Sequence, residues 1–137
     1  MTYKFLEHTA DVKFLASGKT IEEAFVSCFE AMKETICEKK VIEMKKQKKI
    51  KIKADDLESL LYKFLEEFLF LLDSKGFLSS RIEDMKINAK KFELSAVVFG
   101  DDAKNYSFSN DVKAVTYNGM FVKKERGNWV CQVVLDV

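Results

Sequence analysis

Hydrophobic residues along this chain recur with two different spacings, and these spacings predict most of the secondary structure. Short apolar runs at residues 3–6 and 12–16 predict two strands near the start of the sequence. At residues 21–36 and again at 57–72, hydrophobic residues return every three or four positions, which predicts two amphipathic helices. Thr20 is suited to cap the first helix and Asp55 or Asp56 the second, while Gly76 is suited to end the second helix.

The other apolar runs have the alternation or the flanking turn residues that are typical of strands. We expect strands at residues 49–53, 85–89, 92–99, 112–117, 120–124 and 129–135. Ile50 and Ile52 alternate with lysines, so the isoleucines should face the core. The Asn118-Gly119 pair between two apolar runs predicts a hairpin turn, and the last three strands would then form a meander.

Two helices among several short strands predict the fold class. We expect an α+β fold in which a mainly antiparallel β-sheet packs against two amphipathic helices. At 137 residues the chain is long enough for a single domain with one core, spanning residues 1–137.

Composition narrows the classes of protein that fit. The chain is 47% hydrophobic and 33% charged, as in globular proteins, and its formal net charge of +1 gives no strong field toward nucleic acid or membrane. Charges interrupt the longest apolar stretch, and the first residues carry no long apolar segment, so we expect neither a membrane span nor a signal peptide. Cys28, Cys37 and Cys131 lack C-x-x-C spacing, which predicts reduced thiols in an intracellular, cytoplasmic protein.

Groups that bind metals or move protons are concentrated near the start of the sequence. Glu7, His8 and Asp11 fall within five residues, between the first two apolar runs. Asp136 ends the last apolar run, and we expect the two ends of the chain to meet in the fold. Asp11, Asp111 and Asp136 all lie at the edges of apolar runs. Oxygen ligands of this kind favour Mg²⁺, Ca²⁺ or Mn²⁺ over zinc.

A second candidate is the lysine-rich segment from Lys39 to Lys53. Its lysines could bind RNA phosphates, but the segment contains no aromatic residue that would stack on a base. We therefore interpret it as the solvated face of a strand whose lysines discourage edge pairing. RNA binding and docking of a partner remain alternatives.

Four segments in order along the chain resemble the archease family. They are EHTADV at residues 7–12, DDLESLL at 55–61, VKAVTY at 112–117 and VLDV at 134–137. Together they span nearly the whole sequence, and their specificity lies in the combination. In archeases the tyrosine of the third segment is usually followed by a histidine, whereas Asn118 follows Tyr117 here.

The resemblance implies an accessory protein that is not itself an enzyme. Archeases activate the GTP-dependent tRNA-splicing ligase of the RtcB type, promoting its guanylylation and multiple turnover. By resemblance, a divalent metal site of the family maps onto Asp11, Asp136 and the terminal carboxylate of Val137, and a functional lysine maps onto Lys113. GTP and tRNA would be encountered through the ligase.

Two other classes of function stay open at this point. A small metal-dependent phosphoester hydrolase would use His8 as a base beside a metal at Asp11, but the sequence offers no second acid, base or nucleophile constellation. An RNA-binding module would use the face formed by the segment from Lys39 to Lys53, against which the near-zero net charge argues.

Overall fold

Two helices form a middle layer between two antiparallel sheets. The structure, a computed structural model, describes residues 1–7, 11–38 and 41–137. The helices are α1 (Ile21–Ile36) and α2 (Leu57–Lys75). The strands in chain order are β1 (Thr2–Leu6), β2 (Val12–Gly18), β3 (Lys46–Lys53), β4 (Phe77–Asn88), β5 (Glu93–Asp102), β6 (Ala114–Glu125) and β7 (Asn128–Asp136).

Sheet A has the strand order β1-β2-β7-β6, and sheet B has the order β3-β5-β4. Helix α1 packs on β1, β2 and β7 of sheet A and on β4 of sheet B. Helix α2 packs on β6 of sheet A and on β3 and β4 of sheet B. The predicted α+β class is confirmed, but the strands divide into two sheets with the helices between them. The apolar stripe of α2 is wide enough to be buried on two sides, which a single covering sheet would not require.

The helix ends are specified by local side-chain chemistry. The hydroxyl of Thr20 accepts a hydrogen bond of 3.1 Å from the backbone N–H of Glu23 at the start of α1. Asp56 and Ser59 form a reciprocal capping box at the start of α2. Gly76 ends α2 in the left-handed conformation, with φ of 61°, which glycine adopts without steric cost. The predicted caps at Thr20, Asp56 and Gly76 are confirmed.

Aromatic rings join the two helices at the centre of the core. Phe25 of α1 lies 5.8 Å from Phe64 of α2, between ring centroids, and Phe29 lies 4.6 Å from Phe68. All four side chains are buried. In the described part of the chain, neither helix is long and apolar enough to span a bilayer.

The predicted hairpin at Asn118-Gly119 is wrong. Strand β6 continues through both residues, and its ladder with β7 skips from Thr116 to Phe121, so the segment between forms a bulge. Gly119 has a φ of 65° and its carbonyl accepts a 2.6 Å hydrogen bond from the side chain of Gln132, so its backbone freedom serves the bulge.

The turn lies later in the chain, and the final segment is one hairpin instead of a meander. Arg126 and Gly127 have φ values of 49° and 83° between β6 and β7. Two consecutive positive φ values are what a tight hairpin turn requires. Strand β4 also begins at Phe77, well before the strand expected at residues 85–89, because the chain pairs with β5 directly after α2.

Candidate functional site

The end of β7 lies beside the beginning of β2 at one end of sheet A. The two strands are antiparallel, with Val12 opposite Leu135. Asp11, a bend residue, directly precedes Val12, and Asp136 directly follows Leu135, so both residues adjoin the last pair of this ladder. The strand pairing therefore brings two residues from distant parts of the sequence to the same edge.

The alternation of side chains assigns Asp136 to a face. Phe14 and Val133 are opposite one another and fully buried against the helices. Leu135 shares the face of Val133, so Asp136, the last residue of β7, lies on the outer face of sheet A. Both aspartates are half-buried. A ligand can reach this face without displacing either helix.

Two further predicted residues lie at the same end of the sheet. Val137 directly follows Asp136, and its half-buried side chain packs against the core. Glu7 directly follows β1, whose last residue pairs with Lys13, and it is exposed. His8 lies outside the described residues, so the predicted roles of this imidazole stay predictions.

The backbone of Lys113 is hydrogen-bonded to the end of β7, whereas its side chain lies in a groove beside α2. Its N–H donates a 2.8 Å hydrogen bond to the carbonyl of Asp136. Its exposed side chain lines an open groove on the α2 side of sheet A, with Lys53, Glu66 and Phe70 among the other lining residues. The side chains of Lys113 and Asp136 therefore occupy opposite faces of one sheet end. Asp111 is exposed and precedes β6.

A stacked tyrosine pair fixes the start of β6 against α2. The rings of Tyr62 and Tyr117 lie 4.2 Å apart at an interplanar angle of 8°. Burial raises the pKa of both phenols, and the negative charges of Glu66 near Tyr62 and of Asp56 near Tyr117 raise these pKa values further. Tyr117 belongs to the same segment as Lys113, so this contact helps to set the position of Lys113 beside the helix.

The chemistry of the donors decides which metal would fit. Among the described residues there is no group of three or more His, Cys, Asp or Glu side chains that could hold a metal ion. The side-chain oxygens of Asp11 and Asp136 near the end of sheet A are hard donors of the kind that suits Ca²⁺, Mg²⁺ or Mn²⁺. Cys28 and Cys131 are fully buried in the core, and burial raises the pKa of the Cys28 thiol well above its usual range. Soft thiolate ligands are thus not available at this end of the sheet.

Comparison with known proteins decides the family. The model of the archease protein family matches residues 3–137. This chain belongs to the archease family. Archeases similar to it include that of Methanosarcina mazei, 34% identical over 98% of this chain and 95% of the relative, and that of Pyrococcus abyssi, 35% identical over 98% of both. An archease-like protein of Drosophila melanogaster is 33% identical over all of this chain and 91% of its own length.

Solved structures share the fold of this archease. The solution structure of Methanobacterium thermoautotrophicum protein 1598 superposes with a TM-score of 0.83 at 30% identity, covering 98% of both chains. The crystal structure of an archease from Thermotoga maritima, named as a possible chaperone, gives a TM-score of 0.68 at 21% identity, covering 98% of this chain and 96% of that one. At 21% identity, the similarity to the Thermotoga maritima structure shows only that the two proteins share a fold.

The groove beside Lys113 was not identified from the sequence. One signal for it was present, because Phe70 is a large apolar residue that falls outside the apolar stripe of α2. It is 50% exposed in the structure. An aromatic residue off the stripe is a reason to look for a surface role.

Proposed function

We propose that this archease is an accessory protein that activates a GTP-dependent tRNA-splicing RNA ligase of the RtcB type. It would promote guanylylation of the ligase and multiple turnover without catalysing a reaction itself. The observation that supports this proposal is the β2–β7 register, whose last pair, Val12 with Leu135, directly adjoins Asp11 and Asp136.

A divalent cation is part of the proposal. Asp11, Asp136 and the main-chain carboxylate of Val137 would hold it. Bound there, the cation would supply a positive charge with coordination positions left open for oxygen donors of a partner. The pairing of Val12 with Leu135 brings the chain segments that carry the two aspartates to one end of sheet A, which supports a shared ligand there.

Lys113 has a separate role in this proposal. Its exposed ammonium lies in the groove beside α2, and its backbone is hydrogen-bonded to Asp136. A phosphate of GTP or of the RNA, carried by the ligase, is a suitable partner for that charge. We also place the protein in the cytoplasm, which is supported by the buried thiols of Cys28 and Cys131, neither of which forms a disulfide.

The test is a guanylylation and ligation assay of the cognate ligase with and without the archease. We expect the wild-type protein to increase both the guanylylated fraction and the number of turnovers. Asp11→Asn and Asp136→Asn should each abolish most of the stimulation, because each removes one anionic donor while preserving side-chain size. Titration calorimetry with Mn²⁺ alone should show weaker binding for both variants.

The matched control is Asp84→Asn, which removes one exposed carboxylate from sheet B. Asn tolerates the positive φ of 53° at this position, so the control should fold and stimulate as the wild type does. Absence of stimulation by the wild-type protein would reject the activation function. Unchanged stimulation by both site variants would reject only the metal part of the proposal.

A further inference from the structure

The outer face of sheet B brings basic side chains from two strands together. Lys51 of β3 and Lys86 of β4 both pair with Ser95 of the central strand β5, one on each side. All three side chains point away from the helices, since the alternate residues Ile50 and Leu94 are buried against the core. Two long cationic side chains therefore flank a small hydroxyl on an open sheet surface.

This face carries a larger excess of positive charge than the protein as a whole. The strand registers and the exposure pattern place five basic and two acidic side chains on it: Lys49, Lys51, Lys53, Arg81, Lys86, Glu83 and Glu93. With Asp84, which is exposed in the bulge between Glu83 and Lys86, counted as a third carboxylate, the excess is still two positive charges, against a formal net charge of +1 for the whole chain. Because charge of one sign is gathered on one surface, that surface can attract a polyanion that the whole molecule would not.

The basic side chains of this face are not used by the fold. In the part of the chain that the structure describes, none of the five forms a side-chain ion pair, hydrogen bond or cation–π contact. The neighbouring lysines of β3 differ. Lys46 donates a 2.6 Å hydrogen bond to Asp102, and the ammonium of Lys48 lies 5.4 Å from the ring centroid of Phe77. The unpaired charges are thus available to a ligand.

An aromatic ring lies on the same face. Phe99 of β5 is half-buried on the outer side of the sheet, paired with Gln47 on one side and Arg81 on the other. It is four residues from Ser95 along the strand, a distance of about 13 Å. The lysine-rich segment itself contains no aromatic residue, and the sheet supplies one from another strand.

We propose that the outer face of sheet B binds a single strand of nucleic acid, with RNA as the natural ligand if the proposed function holds. Lysines that follow the phosphates, combined with a ring on which a base can stack, are the features that single-strand-binding surfaces share. Lys51, Lys86 and Ser95 would contact phosphates, and Phe99 with Arg81 would receive a base. An acidic protein surface would match the charges but would give the isolated aromatic ring no base to stack on.

The basic face is continuous with the groove beside Lys113. Lys51 and Lys53 lie at the edge of sheet B, and both also line that groove. A strand bound on sheet B would therefore extend around the β3 edge toward the end of sheet A that carries Asp136. This arrangement would place an RNA near the ligase-activating end of the archease.

Fluorescence anisotropy of a labelled single-stranded RNA, with the isolated archease and no ligase, tests the proposal. We expect binding at low salt that K51Q/K86Q weakens roughly tenfold, with a salt slope smaller by about 1.4 for two lost phosphate contacts. The matched control K4Q/K124Q removes the same charge from exposed lysines of sheet A and should bind like the wild type. Equal weakening by both pairs, or no binding by the wild type, would overturn the proposal.

Two further measurements distinguish base stacking from phosphate binding, and RNA from the ligase as the partner of this face. Phe99→Ala, checked for folding by its thermal melt, should weaken RNA binding and leave binding of inorganic polyphosphate unchanged, since polyphosphate has no bases. Guanylylation of the ligase in the absence of RNA should be unaffected by R81Q/K86Q, which removes two positive charges of this face that lie outside the groove beside Lys113. Loss of that RNA-free stimulation would make this face a docking surface for the ligase, which would overturn RNA binding here while leaving the activation function intact.

Discussion

Replacing Phe64 with Ala tests whether α2 is the central element of the core. Phe64 is fully buried. Its ring centroid lies 5.8 Å from the centroid of Phe25 and 4.9 Å from the centroid of Phe68. Truncation removes the ring from between these neighbours and leaves a cavity, for which Phe→Ala substitutions cost about 3 to 5 kcal/mol of stability. Because α2 has a sheet on each side, the surroundings have little room to collapse, and we expect a value in the upper part of this range.

The assay is urea unfolding followed by circular dichroism, with the free energy of unfolding taken from the midpoint and slope. For a chain of this size the expected loss corresponds to a fall in Tm of roughly 10 to 20 °C. Phe70→Ala is the matched control, since it removes the same ring from the same helix at a position that is 50% exposed. The control should change stability by no more than about 0.5 kcal/mol. A loss below about 1 kcal/mol for Phe64→Ala, or equal losses for both variants, would refute the assignment of the buried face.

Three other predictions concern the sheet end, the lysine face and the N-terminal strand. A short extension after Val137 should weaken Mn²⁺ binding and ligase stimulation while leaving the thermal melt unchanged, because it moves the terminal carboxylate and alters no side chain. Lys51→Glu should also leave the melt unchanged, and stimulation of guanylylation without RNA should survive it. Burial and the hydrogen bond to Glu34 raise the pKa of Tyr3 from 10.0 to about 12. Since the folded-state pKa lies above the unfolded one, this contribution to stability is present below pH 10 and is lost as the pH rises toward about 12. Urea unfolding across this range should show a larger loss in the wild type than in Tyr3→Phe, since Tyr62, Tyr117 and Cys28, whose pKa values are also raised, are present in both proteins.

Each of these three predictions would be contradicted by one specific result. Full stimulation by the extended protein would remove the terminal carboxylate from the site. Loss of RNA-free stimulation by Lys51→Glu, with an unchanged melt, would make the lysine face a docking surface for the ligase. An identical pH dependence of stability in the wild type and Tyr3→Phe would mean that Tyr3 does not titrate as its surroundings indicate.

Local signals in the sequence were sufficient for the helices. The periodic apolar residues, together with Thr20, Asp56 and Gly76, predict both helices and their ends, because caps and amphipathic stripes depend on residues only a few positions apart. The exposed lysines around Ile50 were likewise predictable from alternation alone. The resemblance to archeases rests on segments that are also contiguous in sequence, and it led to the family.

The sequence did not determine how the strands combine. Asn118-Gly119 has the composition of a tight turn, but β7 continues alongside β6 past this point, and the ladder absorbs the pair as a bulge. The actual turn, at Arg126-Gly127, has a weaker local signal. Whether a glycine with positive φ serves a turn or a bulge depends on the partner strand, and that partner comes from elsewhere in the chain.

The same distinction applies to both candidate surfaces. The sequence singled out Asp11 and Asp136, but only the antiparallel pairing of β2 with β7 puts them at one edge. The sequence also showed the lysines of β3, yet Lys86 and Phe99 join them only through the strand order β3-β5-β4. Local propensity is set by neighbours in the chain, whereas a site is set by strand register and order. Strand register and order are set by the need to bury both faces of the two helices at once, which depends on the whole core and not on any single segment.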